Sequence, residues 1–208
     1  NSTFSGNSVD DFGSGIYNNG PLAVTNSTFS GNFGSRGGGI YNSAGTLAVT
    51  NSTFSGNYPS YGGGIFNDSG TANLAGNVFA AGSGGDNCTN SGTINDNGYN
   101  LSDDASCGFS GTSADNATLN LGTLADNGGP TQTHALLSGS DAINAIPYDT
   151  NISNNGTAWT CNDADPFTDQ RGVSRPQGSG CDSGAYEATV PDVSITPSSD
   201  SIAEGTNT

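Results

Sequence analysis

The residues of this chain best suited to hold a metal ion are Asp163, Asp165 and Asp169. They place carboxylates at alternate positions of one loop, and Ca²⁺ is held by several hard oxygens of this kind. Asp103 and Asp104 are a second acidic candidate. The glycine and bidentate glutamate of an EF-hand are missing from both places, and solvated turn aspartates are the plainer reading of each. Calcium is the one cofactor expected. Four cysteines, Cys88, Cys107, Cys161 and Cys181, allow three pairings. Cys88–Cys107 and Cys161–Cys181 are favoured, because each closes a short loop; free buried thiols are the alternative. His134 is the only histidine and no CxxC spacing occurs, which argues against zinc. His134 reads as a structural, hydrogen-bonding residue. Arg171 and Arg175, close in sequence to Asp169, Asp182 and Glu187, are expected to form ion pairs.

Catalysis on acidic sugars needs a cationic base or clamp, and glycoside hydrolysis needs two carboxylates at a set separation. The first 80 residues offer Arg36, Asp10, Asp11 and Asp68, at no repeating position. No catalytic residue is therefore assigned. A carbohydrate-active β-helix enzyme, a polysaccharide lyase or hydrolase, is the competing class.

The elements that must carry these residues are written in a repeat. Asn-Ser-Thr-Phe-Ser-Gly-Asn occurs at 1–7, 26–32 and 51–57, a spacing of 25 residues. Gly-Ser-Gly-Ile-Tyr-Asn at 13–18 returns as Gly-Gly-Gly-Ile-Tyr-Asn at 37–42 and Gly-Gly-Gly-Ile-Phe-Asn at 62–67. Leu-Ala-Val-Thr follows at 22–25 and 47–50, and a degraded fourth copy keeps Phe79 in phase. Each coil holds three short β-prone runs separated by Asn and Gly. Stacked coils form three parallel sheets around a narrow core. The fold expected is all-β: a right-handed parallel β-helix, a three-sheet solenoid, with a loop-rich, disulfide-bearing C-terminal cap. A flattened two-sheet coil is the alternative.

Phe4, Phe29, Phe54 and Phe79 should form one inward ladder, and Ile16, Ile40 and Ile65 a second. Leu22 and Val24 with Leu47 and Val49 should form a third. Period-two alternation then sends Tyr17, Tyr41 and Phe66 outward. Asparagines at the run ends suit left-handed corners and amide stacking from coil to coil.

Glycine supplies 33 of 208 residues and only 31% are hydrophobic, a composition that suits a solenoid with a thin core. The net charge of −16, with three arginines and no lysine, opposes binding to nucleic acid or anionic membranes. No apolar run is long enough to span a bilayer, so no direct membrane insertion is expected of this segment. The chain opens inside a repeat, and is expected to be a mature or partial segment of a larger product.

The paired Gly-Gly-X-Ile motifs at 37–40 and 62–65, alternating with Phe-X-X-Asn at 4–7, 29–32 and 54–57, resemble the repeats of polymorphic outer-membrane proteins and related bacterial adhesin-like β-helices. Ser14 departs from the glycine run in the first copy. Residues 86–188 resemble the choice-of-anchor domain that follows such helices. That likeness rests on Cys88, Gly98–Asp103, Cys107–Phe109, Leu121–Leu136, Asp169–Pro176 and Cys181–Glu187. The resemblance implies a secreted or cell-surface location and a cap without catalysis.

The expected organisation is 1–85 as β-helix repeats, 86–188 as cap, and 189–208 as a linker or orphan strand. Leu119, Leu121, Leu124, Leu136, Leu137, Ile143 and Ile146 are the residues expected to cover the helix end. Val193, Ile195 and Ile202 are expected to form the orphan strand, and the run from Ile202 to Thr206 is similar to the start of immunoglobulin-like surface repeats. The functional expectation is a structural or adhesive extracellular protein. Its partner is a cell-surface or matrix ligand, or itself in a head-to-tail filament.

Overall fold

The structure, a computed structural model, describes residues 1–80, 85–162, 164 and 167–189. The orphan strand expected at Val193, Ile195 and Ile202 lies outside these residues, as do Asp163 and Asp165. The described chain is all-β, and its first hundred residues wind into a parallel β-solenoid of about four turns.

Three parallel sheets run the length of the solenoid. The Phe sheet orders Thr3–Ser5, Thr28–Ser30, Thr53–Ser55, Val78–Ala80 and Leu101–Ser102. The Ile sheet orders Ile16–Asn18, Ile40–Asn42, Ile65–Asn67 and Cys88–Asn90. The Leu sheet orders Leu22–Thr25, Thr46–Thr50, Thr71–Ala75 and Thr93–Asp96. Equivalent residues pair in register: Phe4 with Phe29, Ile16 with Ile40, Leu22 with Leu47. The degraded copy keeps that register, since Ile65 pairs with Cys88, Ala72 with Ile94 and Val78 with Leu101. The coils thus run on to Ser102. The boundary expected at residue 85 falls inside the fourth coil, because backbone pairing needs a matching path and tolerates changed side chains.

The core is the stacked ladder itself. Phe4, Phe29, Phe54 and Phe79 lie face to face, with ring centroids 4.9, 4.7 and 4.8 Å apart. Phe29, Ile40, Leu47, Ile65 and Phe79 are fully buried. Each such side chain contributes roughly 1.5–3 kcal/mol on burial. Glycine is required beside the ladder. A Cβ on Gly39 would sit 2.5 Å from the Gly64 carbonyl oxygen and 2.7 Å from Cδ1 of Phe54.

Asparagine ladders close the corners. Asn18 donates Nδ2 to Asn42 Oδ1, Asn42 to Asn67 and Asn67 to Asn90, at 2.7, 2.7 and 2.8 Å. Asn7 to Asn32 and Asn32 to Asn57 repeat the pattern at 2.9 Å. These amides are the polar equivalent of the apolar ladders: each satisfies its neighbour in the next coil, so little is left unpaired.

Tyr17, Tyr41 and Phe66 do point away from the core and stack on one another, at 5.4 and 5.3 Å. Tyr41 and Phe66 are nonetheless buried. Phe12 packs against Tyr41 at 4.8 Å, and the Arg36 guanidinium lies 5.6 Å from the ring centres of both Phe12 and Phe66. This cover comes from a short fourth parallel sheet, Phe33–Arg36 with Tyr58–Tyr61, between the Phe and Ile sheets. The Asn-to-Gly spacers read as corners therefore carry a sheet of their own.

The second half is loop-rich and carries both disulfides, as expected, but little of it sits on the helix end. Among the described residues only 103–117 crosses the end of the coils, where Phe109 packs on Phe79 at 5.7 Å and Cys107 is bonded to Cys88. The rest turns back and lies along the flank of the solenoid as a lateral brace. Leu119, Leu121, Leu136 and Ile143 pack on Val78 and Leu101, outward-facing residues of the Phe sheet. Ile146, Ile152 and Trp159 pack with Ala75 around Cys161–Cys181. Leu137 is exposed and Leu124 only half-buried, so neither covers the helix end. A flank has more outward-facing residues to bury than a narrow end has core, and five strands of it lie within reach.

Candidate functional site

The outer face of the Phe sheet positions the brace. Its column Thr3, Thr28, Thr53, Val78, Leu101 is in register across five strands. Thr28 donates its hydroxyl to Gln170 Oε1 at 2.7 Å, and Gln170 Nε2 donates to Thr3 Oγ1 at 2.8 Å. Thr53 Oγ1 accepts from the Ala185 amide at 2.9 Å. Asn154 Nδ2 donates to the Val49 carbonyl and to Thr50 Oγ1 on the Leu sheet. Polar columns receive hydrogen bonds where the coil repeats Thr, and apolar ones receive Leu and Ile where it changes to Val78 and Leu101.

Within the brace sits a buried charged cluster. Arg175 and Glu187 pair at 2.8 Å, both almost fully buried. Arg175 also donates to the carbonyls of Asp182 and Gly184. Glu187 accepts from the amides of Gln177 and Asp182. Burial pushes the Glu187 carboxyl above its ordinary value, against the opposing pull of Arg175. Burial raises Asp182 in the same direction. Arg171 lies over the Tyr186 ring at 3.6 Å and pairs with Asp169 at 2.8 Å. The ion pairs expected of these arginines are therefore internal, and the cluster is a clamp that closes the brace on itself.

Asp169 belongs to that clamp. Besides Arg171, its oxygens accept from the amides of Arg171, Val173 and Glu187. Asp169 is thus held by one arginine and three backbone amides, while Asp163 and Asp165, read with it as calcium ligands, lie outside the described residues. Among the described residues no group of three His, Cys, Asp or Glu side chains is placed to hold a metal. Asp103 and Asp104 bond Asn87, Ser102 and Ser106. Burial opposes charge on Asp104, but hydrogen bonds from Ser106, Asn87 and Ser102 outweigh it and hold its carboxyl below the ordinary value.

His134 is a docking residue. Its Nδ1 donates to the Gly122 carbonyl at 2.8 Å, so Nε2 is the acceptor of the Ser30 hydroxyl at 2.9 Å. Burial lowers its pKa and keeps the ring neutral. The ring thereby ties the hairpin of Leu121–Ala125 and Thr133–Leu136 to the second coil.

The two ends of the solenoid differ. One is closed by Phe109. At the other, Phe4, Ile16 and Leu22 are half-buried around a cavity of about 220 Å³ that also touches Asn1, Ser2 and Val24. Among the described residues, the outer edges of Thr3–Ser5, Ile16–Asn18 and Leu22–Thr25 have no strand partner. The sequence shows these residues as ladder members; which end is closed follows from the path of 103–117 alone.

No family model, curated protein or solved structure matches this chain. What its site can do follows from its own geometry. The two disulfides point to an oxidising, non-cytoplasmic environment. Among the described residues no helix is long and apolar enough to cross a membrane.

Proposed function

We propose that the protein is a non-enzymatic structural rod on the outside of a cell, adhesive through its flank and joined end to end through its first coil. The observation that supports this reading is the stacking itself: parallel strands lie in register coil on coil, from Thr3–Ser5 to Leu101–Ser102, in a solenoid stapled by two disulfides. The edge strand of such a stack accepts another strand in register. In this reading the donor is the strand read at Val193, Ile195 and Ile202 of a second copy. A contact between two different surfaces does not close on itself, so it builds a filament.

The likeness of the GGxI and FxxN motifs to polymorphic outer-membrane repeats, and of the second half to a choice-of-anchor domain, supports an extracellular, bacterial setting. The disulfides agree with export, and the −16 charge disfavours nucleic acid and anionic membranes. Calcium stays a proposed cofactor through Asp163, Asp165 and Asp169. A higher melting temperature in calcium than in a chelator supports it, and identical melting removes it.

Negative-stain images of concentrated native protein test the assembly. Linear chains of particles are expected, and Leu22→Asp, which places a charge in the open mouth, should leave single particles. A monodisperse species of one chain's mass at high concentration, by light scattering, defeats the reading.

A further inference from the structure

The fourth sheet and the outer face of the Ile sheet carry a band of aromatic side chains that the fold does not need for its core. Phe12, Tyr17, Phe33, Tyr58 and Tyr61 are all exposed, Tyr61 at 56%. In-register pairing places Phe33 beside Tyr58 and Arg36 beside Tyr61, and the Tyr17, Tyr41, Phe66 stack continues the band onto the Ile sheet. Contiguous exposed apolar surface on a soluble chain marks a binding face.

Where Tyr61 and Phe66 carry the band toward the later coils lies a cleft of about 300 Å³, lined by Arg36, Tyr61, Phe66, Asp68, Thr89 and Ser91. That volume is at the lower end for small-molecule sites, which combine aromatic walls with a few convergent polar groups. The polar groups here keep unused capacity. The Arg36 guanidinium rests on rings and makes no ion pair among the described residues. Thr89 Oγ1 is buried with no hydrogen-bond partner. Asp68 faces the Tyr41 hydroxyl and keeps further acceptor capacity. Donor, acceptor and hydroxyls thus converge beside an exposed ring.

We propose that this cleft binds a neutral oligosaccharide of hexopyranose units. Three classes of ligand are opposed by the surroundings. A cation meets Arg36, which already occupies the ring faces. An anion meets the field of a chain with net charge −16. A purely apolar ligand leaves Thr89 Oγ1 without a partner and strips water from Arg36 and Asp68, at a cost for each. A hexopyranose offers an apolar C–H face to Tyr61 and vicinal hydroxyls that both donate and accept, matching Arg36, Asp68 and Thr89. The inference names the ligand class of the adhesive flank and rests on that half of the proposed function. End-to-end assembly uses the other face of coil 1 and is read out separately by microscopy.

The test is saturation-transfer NMR on the full chain with three probes: a β-1,4-glucose tetrasaccharide, an α-1,4-glucose tetrasaccharide and a galacturonate tetrasaccharide. Transfer to ring C–H protons of at least one neutral probe is expected, with none to the galacturonate. Tyr61→Ala and Asp68→Asn should each weaken Kd by about tenfold, while Leu137→Ala on the brace leaves it unchanged. Both cleft residues are solvent-accessible, so an unchanged melting curve for each variant separates lost binding from lost fold. Absence of transfer to both neutral probes overturns the proposal. So does equal binding by Tyr61→Ala, preference for the galacturonate, or displacement of the neutral probe by a proline-rich peptide.

Discussion

His134 Nε2 accepts a hydrogen bond from Ser30 Oγ at 2.9 Å, across 104 residues of chain. The contact requires a neutral ring, and burial lowers the His134 pKa from its ordinary 6.5. In the unfolded chain the ring binds a proton near 6.5; in the folded chain it does so only at lower pH. Between those values the unfolded state holds more protons, so stability falls as pH falls. Asp182 and Glu187, both raised, act in the opposite sense at more acidic pH: their contribution falls as pH rises from the ordinary carboxylate range. The His134 effect is therefore read as a difference. Urea midpoints taken from pH 7.5 to 5.5 should drop more for the native chain than for His134→Gln. The variant itself should lose about 1–3 kcal/mol at pH 7.5, where a buried hydrogen bond is broken.

Phe54 lies between two rings, whereas Phe4 has one neighbour and a solvent-facing side. Phe54→Ala should cost about 3–5 kcal/mol, the range for a large cavity in a packed core. Phe4→Ala should cost visibly less. Denaturant midpoints at constant m-value report both.

Gly39→Ala tests the close approach of coils. The added methyl meets the Gly64 carbonyl and the Phe54 ring, so a loss of about 1–3 kcal/mol is expected from overpacking. Gly31→Ala meets nothing within 4 Å and carries only the penalty of its φ of +62°, about 1–2 kcal/mol. A larger loss at Gly31 than at Gly39 would contradict the contact argument.

The clamp is tested by removing one charge. Glu187→Ala leaves Arg175 buried without its carboxylate, which costs about 3–5 kcal/mol. Trp159 is the only tryptophan and stacks on Phe167 at 4.5 Å inside the brace. Its emission should shift to the red at lower denaturant in Glu187→Ala than in the native chain. The double variant Arg175→Met with Glu187→Leu should recover part of the loss.

Reduction should weaken both closures. Each disulfide spans about 20 residues, a loop for which cross-linking contributes roughly 2–4 kcal/mol. Cys88→Ala with Cys107→Ala should loosen 103–117 and raise amide exchange near Phe79. Cys161→Ala with Cys181→Ala should instead act on Trp159.

Much of the solenoid was legible because its information is local and repeated. A residue type recurring every 25 positions has to meet its own copy when the coils stack, so Phe4 to Phe79 and Ile16 to Ile65 are readable as ladders without any structure. The same logic reached Asn7 to Asn57 and Asn18 to Asn67. It failed where the repeat degrades. Cys88, Ile94 and Leu101 hold coil positions by backbone pairing, which leaves no signature in side-chain type. It also failed at Tyr41 and Phe66, whose outward direction was correct but whose cover depends on strands formed in the spacers.

The sequence by itself determined the coil, its three main sheets and its inward residues, since period and alternation dictate which side chains face one another. Only the tertiary structure decided where the second half goes. A cap and a brace bury similar apolar residues, and composition does not separate them. The choice rests on contacts across more than a hundred residues, Thr28 to Gln170 and Ser30 to His134, between single side chains of no special type. Long-range pairing of this kind has no periodicity, so nothing in the linear order announces it.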